Sequence, residues 1–113
     1  MSEEHAALVE IVTTVSGDEE AERLARTLVE ERLAACVSRD PVRSLYRWQG
    51  ELRDDPEVRL VIKTTAGRAT RVRERLAELH PYDTPAVVTL PVLHANDDYA
   101  AWLRDAVGHG EEA

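Results

Sequence analysis

Apolar residues recur along this chain with two different periods, and the switches between them mark out the elements. Leu8 to Val15 (LVEIVTTV) is rich in β-branched residues and reads as a strand. Ser16-Gly-Asp-Glu19 then matches a capping box, with Ser16 as N-cap and Glu19 three residues on. Ala21, Leu24, Ala25, Leu28 and Val29 recur at helical spacing, opposite Glu and Arg, so a helix is expected to end near Leu33–Ala34 without a glycine stop. An extended run from Ala35 to Trp48 follows. Val42, Ser44, Tyr46 and Trp48 fall on one side of it, and Arg43, Leu45 and Arg47 on the other. Asp40-Pro41 lies inside this run, and proline there implies an edge strand or a bulge. Gln49-Gly50 begins a turn, and Val58 to Thr64 (VRLVIKT) returns as a strand.

Thr65 is placed to cap a second helix with Ala69, Val72, Leu76 and Leu79 on its apolar side. His80-Pro81 stops it, because proline disfavours helical geometry at the residue before it. Ala86 to Leu90 is a fourth strand between Pro85 and Pro91. Asn96 or Asp97 then caps a last helix carrying Tyr99, Trp102, Leu103, Ala106 and Val107. The order βαββαβ with a terminal helix predicts an α+β, ferredoxin-like split βαβ sandwich in one domain over residues 1–113, with flexible tails at about 1–7 and 108–113. Two helices cover one face of a four-stranded sheet. The second face of Val58–Thr64, with Arg59, Val61 and Lys63, is mixed rather than fully polar, which invites a second subunit.

The long strand points the same way. Its 14 residues reach about 46 Å at roughly 3.3 Å each. A compact chain of this size is only about 35 Å across, from a radius of gyration near 13 Å. Part of the strand must therefore bend sharply or project and find a partner.

Composition narrows the partners. The formal net charge of −8 disfavours nucleic acid and anionic membrane surfaces. One cysteine, Cys36, excludes an internal disulfide and a cysteine-rich metal site. No apolar run reaches membrane-spanning length, and the acidic start MSEEHAALVE is unlike a signal peptide, so the expected setting is cytoplasmic. There is no P-loop, HExxH, dinucleotide fingerprint or GxSxG, and no enzyme is expected.

LVEERLAAC (Leu28–Cys36), SLYRWQGE (Ser44–Glu51), IKT (Ile62–Thr64), HPYDTP (His80–Pro85) and LPV (Leu90–Val92) together resemble the CutA family of divalent-cation tolerance proteins. The resemblance runs from about Val9 to Leu103. It implies a ferredoxin-like fold, a tight homotrimer with long hairpins paired across subunit boundaries, an architecture like PII-type signalling trimers, and copper or a related divalent cation as a candidate ligand. The chain departs from the usual family pattern at Ser38, at Pro41-Val42 and at Ala86, where relatives carry Asn, Pro-Gly and Glu, and it has one residue fewer than is usual before Tyr46-x-Trp48.

His80 is the leading metal-ligand candidate, at a helix end with Tyr82 and Asp83 close by in sequence. Cys36 is second: a thiolate suits Cu(I) or Zn, but protein ion sites normally need three or four ligands. The bland readings are a helix-end histidine bonded to a carbonyl and a small buried hydrophobe. Tyr46, Arg47, Trp48 and Lys63, the only lysine, would line an intersubunit cleft for a small anionic or nucleotide-like metabolite. Rigid aromatics, Trp102 among them, equally anchor interfaces. The leading expectation is a homotrimeric protein of metal-ion tolerance, with a PII-like metabolite sensor or a trimeric docking scaffold as alternatives.

Overall fold

The computed structural model describes residues 6–108; His5 and His109 lie outside them. The elements are β1 (Leu8–Val15), α1 (Asp18–Glu30), β2 (Cys36–Trp48), β3 (Glu51–Thr65), α2 (Ala66–Leu79), β4 (Val88–Pro91) and α3 (Asp97–Ala106). All neighbouring strands are antiparallel, in the order β2-β3-β1-β4. This is the ferredoxin-like arrangement that the element order predicts.

Side-chain alternation divides the sheet into two unlike faces. Ile11, Val15, Leu60 and Ile62 pack on Leu24 and Leu28 of α1 and Val72 and Leu76 of α2, all fully buried. A smaller cluster gathers Leu103 and Val107, at the end of α3, around Leu8 and Ala35. The face opposite the main core carries Val12, Val61, Val88 and Leu90 with Arg59 and Lys63, and Leu90 remains 44% exposed. The second face is mixed, as expected, and largely uncovered.

The helix ends differ from the sequence expectation. Gly17, not Ser16, is the N-cap of α1, and no side chain caps that end. Three carboxylates in the first turn, Asp18, Glu19 and Glu20, oppose the positive end of the helix dipole instead. The helix stops at Glu30, earlier than expected, because Arg32 adopts a left-handed conformation with φ of 60°. Its N–H bonds Val29 O at 3.0 Å, and Leu33 N–H bonds Leu28 O at 2.9 Å. This is the paired closure usually built around glycine. Thr65 and Asn96 occupy N-cap positions without a side-chain cap bond.

The two arms of the hairpin pair without a bulge from Cys36↔Lys63 to Trp48↔Glu51. Pro41 sits opposite Val58 within this ladder, tolerated because β2 is an edge strand. β3 begins at Glu51 rather than Val58, so the return arm is longer than its apolar pattern showed. Gln49 and Gly50, with φ of 52° and 82°, form the two-residue reversal that suits twisted strands. The molecule is 47 Å along its longest axis and 25 Å and 20 Å across the others. The strand projects, as its length requires.

Of the positions assigned to flexible tails, three are described: Arg104 Nε donates to Ala6 O at 2.8 Å, Ala66 N–H to Ala7 O at 2.8 Å and Gly108 N–H to Asp105 O at 2.9 Å, while the others lie outside the described residues. No helix among the described residues is long and apolar enough to cross a membrane.

Candidate functional site

Where the hairpin leaves the sheet, the segment after α2 wraps past the end of β1 and meets it. Pro81 holds His80 in extended geometry, with ψ of 133°. The imidazole then reaches β1, with Nε2 3.0 Å from Thr14 O and 3.0 Å from Thr13 Oγ1. On the other side of the ring, Nδ1 accepts from Tyr82 N–H at 3.2 Å. Since Nδ1 accepts, the ring proton is on Nε2 and is donated to the Thr14 carbonyl. Burial lowers the pKa of His80, against opposing effects of the Thr14 bond and the Glu57 charge. The neutral ring is the one this geometry holds.

Tyr82 stacks at a tilt on His80, with ring centroids 4.9 Å apart. Its hydroxyl donates to Glu57 Oε2 at 2.6 Å, while Ser44 Oγ donates to Glu57 Oε1 at 2.7 Å. One residue pair further out, Tyr46 O–H donates to Asp55 Oδ2 at 2.6 Å, and Arg53 lies 3.6 Å from the same oxygen. Desolvation and then the bond to Glu57 push the Tyr82 phenol well above its ordinary value. The bond to Asp55 raises that of Tyr46. Ser44, Tyr46, Arg53, Glu57 and Tyr82 border a cleft of about 480 Å³ that is also lined by Trp48, Asp83, Thr84 and Ala86.

Some of the residues singled out in the sequence converge here and others do not. His80, Tyr82, Asp83, Tyr46 and Trp48 belong to this region. Arg47 faces the opposite side of β2 from Tyr46 and Trp48. Lys63 pairs with Cys36, ten residues before Tyr46, or roughly 33 Å along the strand. Its ammonium donates to Ser38 Oγ at 3.1 Å. Lys63 and Arg47 therefore do not line this cleft within one chain; among its described lining residues the arginine is Arg53, set among carboxylates. Trp102 is on α3, with its ring centroid 5.8 Å from that of Tyr99, outside the cleft.

Cys36 and His80 do not meet within one chain. Cys36 is level with Glu10 through Lys63, whereas His80 bonds Thr13 and Thr14, about 13 Å further along β1. No group of three or more His, Cys, Asp or Glu side chains among the described residues is placed to hold a metal ion. Thr13 lies close enough to His80 for a nucleophile–base pair, but its hydroxyl is buried on the helix-covered face. The protonated Nε2 also has no lone pair to offer it. Glu57, Asp55 and Ser44 escaped sequence reasoning. The available signal was the alternation Glu51, Arg53, Asp55, Glu57, which matches the facing run Ser44, Tyr46, Trp48.

The projecting hairpin and the aromatic, carboxylate-lined cleft beside it sit on a small α+β protein of the ferredoxin-like class. The chain belongs to the CutA1 divalent ion tolerance protein family, whose model matches residues 9–106. The divalent-cation tolerance protein CutA of Thermus thermophilus is 46% identical over 99 residues, covering 87% of this chain and 96% of that protein. The solved structure of CutA from Synechococcus elongatus superposes with a TM-score of 0.89 at 38% identity, over 93% of this chain and 94% of that one. That of the Archaeoglobus fulgidus CutA, described as a periplasmic divalent cation tolerance protein, gives 0.86 at 31% identity, over 88% and 98%.

Proposed function

We propose that this chain serves in the response to divalent metal ions as a cytoplasmic homotrimer that catalyses no reaction. The observation that carries the assembly is the hairpin of β2 and β3, which projects with an unpaired outer edge beside a half-apolar open sheet face. Exposed edges and apolar faces of this kind are completed by other copies of a chain. Weak copper binding belongs to the same reading, with His80 as first ligand and Tyr82 and Asp83 beside it. An ion at Nδ1 must displace the Tyr82 N–H, which keeps such binding weak. Cys36 contributes only from another subunit.

Sedimentation equilibrium and metal analysis of the untagged protein test this reading. A monomer would overturn the assembly. Copper titration unchanged by His80→Ala and Cys36→Ala would remove these residues as the metal site.

The cleft favours a second reading, a PII-like signalling module that binds a small metabolite between subunits. Tyr46, Trp48 and Tyr82 bring rings to a cavity of ordinary ligand size. A metabolite at a hundred times its dissociation constant stabilises the protein by about 2.7 kcal/mol, which a thermal shift registers.

A further inference from the structure

Three edges of the sheet each carry a proline, and the register fixes which way it points. Trp48 and Glu51 flank the two-residue reversal, where facing residues exchange both hydrogen bonds. Alternation then makes hydrogen-bonded pairs of Tyr46↔Arg53, Ser44↔Asp55 and Val42↔Glu57. Arg43↔Pro56 and Pro41↔Val58 are the pairs between, so the backbone of each proline turns away from the strand it faces. For Pro41 that is the outer edge of β2. For Pro56 it is the outer edge of β3, which β1 covers only from Val58 onward. On β4, Val92 N–H donates to Leu8 O at 3.2 Å, so Leu90 and Val88 turn their amides to β1 and Pro91 faces outward. All three proline side chains are exposed.

We propose that Pro41, Pro56 and Pro91 are edge stops, which keep copies of this chain from adding strand to strand into an open-ended sheet. A ladder needs an N–H at each residue that faces the added strand, and a proline there ends the ladder or forces a bulge. This holds whether an edge is bare or covered by another copy, because a neighbour in an assembly pairs only with the stretches between stops. The chain has reason to carry them. β2 and β3 run for 13 and 15 residues, with Leu45 and Leu52 exposed on the arm. Uninterrupted edges of that length and content join one another. With the stops, the longest run of outward amides is Arg43, Leu45 and Arg47, which falls short of the roughly six residues that stack into cross-β sheets. An arginine stands at each end of it. The β3 edge is blunted further, because Arg43 Nη2 donates to the Asp54 carbonyl at 3.5 Å.

Threonine restores the missing N–H, suits a strand and adds no apolar surface, so Pro41→Thr, Pro56→Thr, Pro91→Thr and the triple variant test the stops. Sedimentation velocity over a wide concentration range reads the size of the species, and thioflavin T fluorescence reads stacked strands. Far-UV circular dichroism and thermal melts report whether each variant is folded. The wild type should keep one size throughout. The triple variant, with a native melt, should form species severalfold heavier that grow with concentration and bind thioflavin T, and the single variants should do so to a smaller extent. Pro85→Thr, outside the strands, should behave as the wild type. A folded triple variant of wild-type size would overturn the proposal. Growth confined to variants whose native melt is lost would assign it to unfolding and overturn the proposal equally. A wild type that sediments as a monomer would overturn the trimer proposed above and not the stops, which the variants read independently.

Discussion

Tyr82 and Glu57, twenty-five residues apart in sequence, are joined by a 2.6 Å bond in which the phenol donates to carboxylate Oε2. This bond ties the segment after α2 to the root of the hairpin. Glu57 is held from its other side by Ser44, so three stretches of chain meet at one carboxylate.

Tyr82→Phe should cost about 1 kcal/mol of stability in chemical denaturation, the usual worth of one such bond. It should also change the alkaline titration. Tyr82 is shifted up chiefly by desolvation, then by Glu57, and Tyr46 chiefly by its bond to Asp55. A raised phenol pKa contributes stability that is complete below the unfolded value near 10 and is lost as pH rises through the folded one. Ultraviolet titration of the folded protein should therefore show a late-ionising phenol that disappears in Tyr82→Phe. An unchanged curve would argue against the bond.

His80 should make stability fall on the acid side. Burial lowers its folded pKa below the ordinary value of 6.5. The unfolded chain then binds the extra proton first, so stability rises with pH across this window. The contribution is complete above the unfolded value and is lost as pH falls through the folded one. Protonating Nδ1 also sets a donor against the Tyr82 N–H. Thermal melts between about pH 5 and 7 should have a shallower pH slope in His80→Ala than in the wild type.

Glycine at two exposed arginines should have opposite effects. Arg26 lies inside α1, where glycine costs about 1 kcal/mol. Arg32 has φ of 60°, a conformation glycine adopts without penalty. Arg32→Gly should therefore be neutral or stabilising by up to about 1 kcal/mol in guanidinium denaturation. Equal losses at both positions would contradict the closure described for α1.

Leu90 stands on the open sheet face, level with Glu10 of β1. Leu90→Asp should convert the proposed trimer to smaller species in sedimentation while far-UV circular dichroism stays native. A trimer that survives this charge would place the subunit contact on another surface.

Most of the fold was legible because long apolar patterns mark the buried faces. The βαββαβ order, the stop at His80-Pro81 and the edge position of Pro41 follow from such local signals. The start of β3 did not. Glu51 to Glu57 (ELRDDPE) has little apolar alternation, and it becomes strand because the Gln49-Gly50 reversal sets it opposite β2. Cross-strand pairs such as Arg43–Asp54, at 2.9 Å, then join the arms. The same blind stretch hid Glu57 and Asp55, which are site residues only through partners distant in sequence. The end of α1 was also misplaced, because no residue preference announces an arginine in a left-handed conformation. Ser16 failed as a cap because Gly17 takes the N-cap position itself.

The unbroken ladder from Cys36 to Trp48 imposes a parity rule on the length of the arm. Adding or removing one residue pair near its root would exchange Tyr46 and Trp48 for Leu45 and Arg47 on the cleft side, and a single unpaired residue would force a bulge. Only changes of two residues in each arm lengthen or shorten it while every side chain beyond the change keeps its face. Engineered grafts of this arm that are to keep every face without a bulge should therefore come in steps of two.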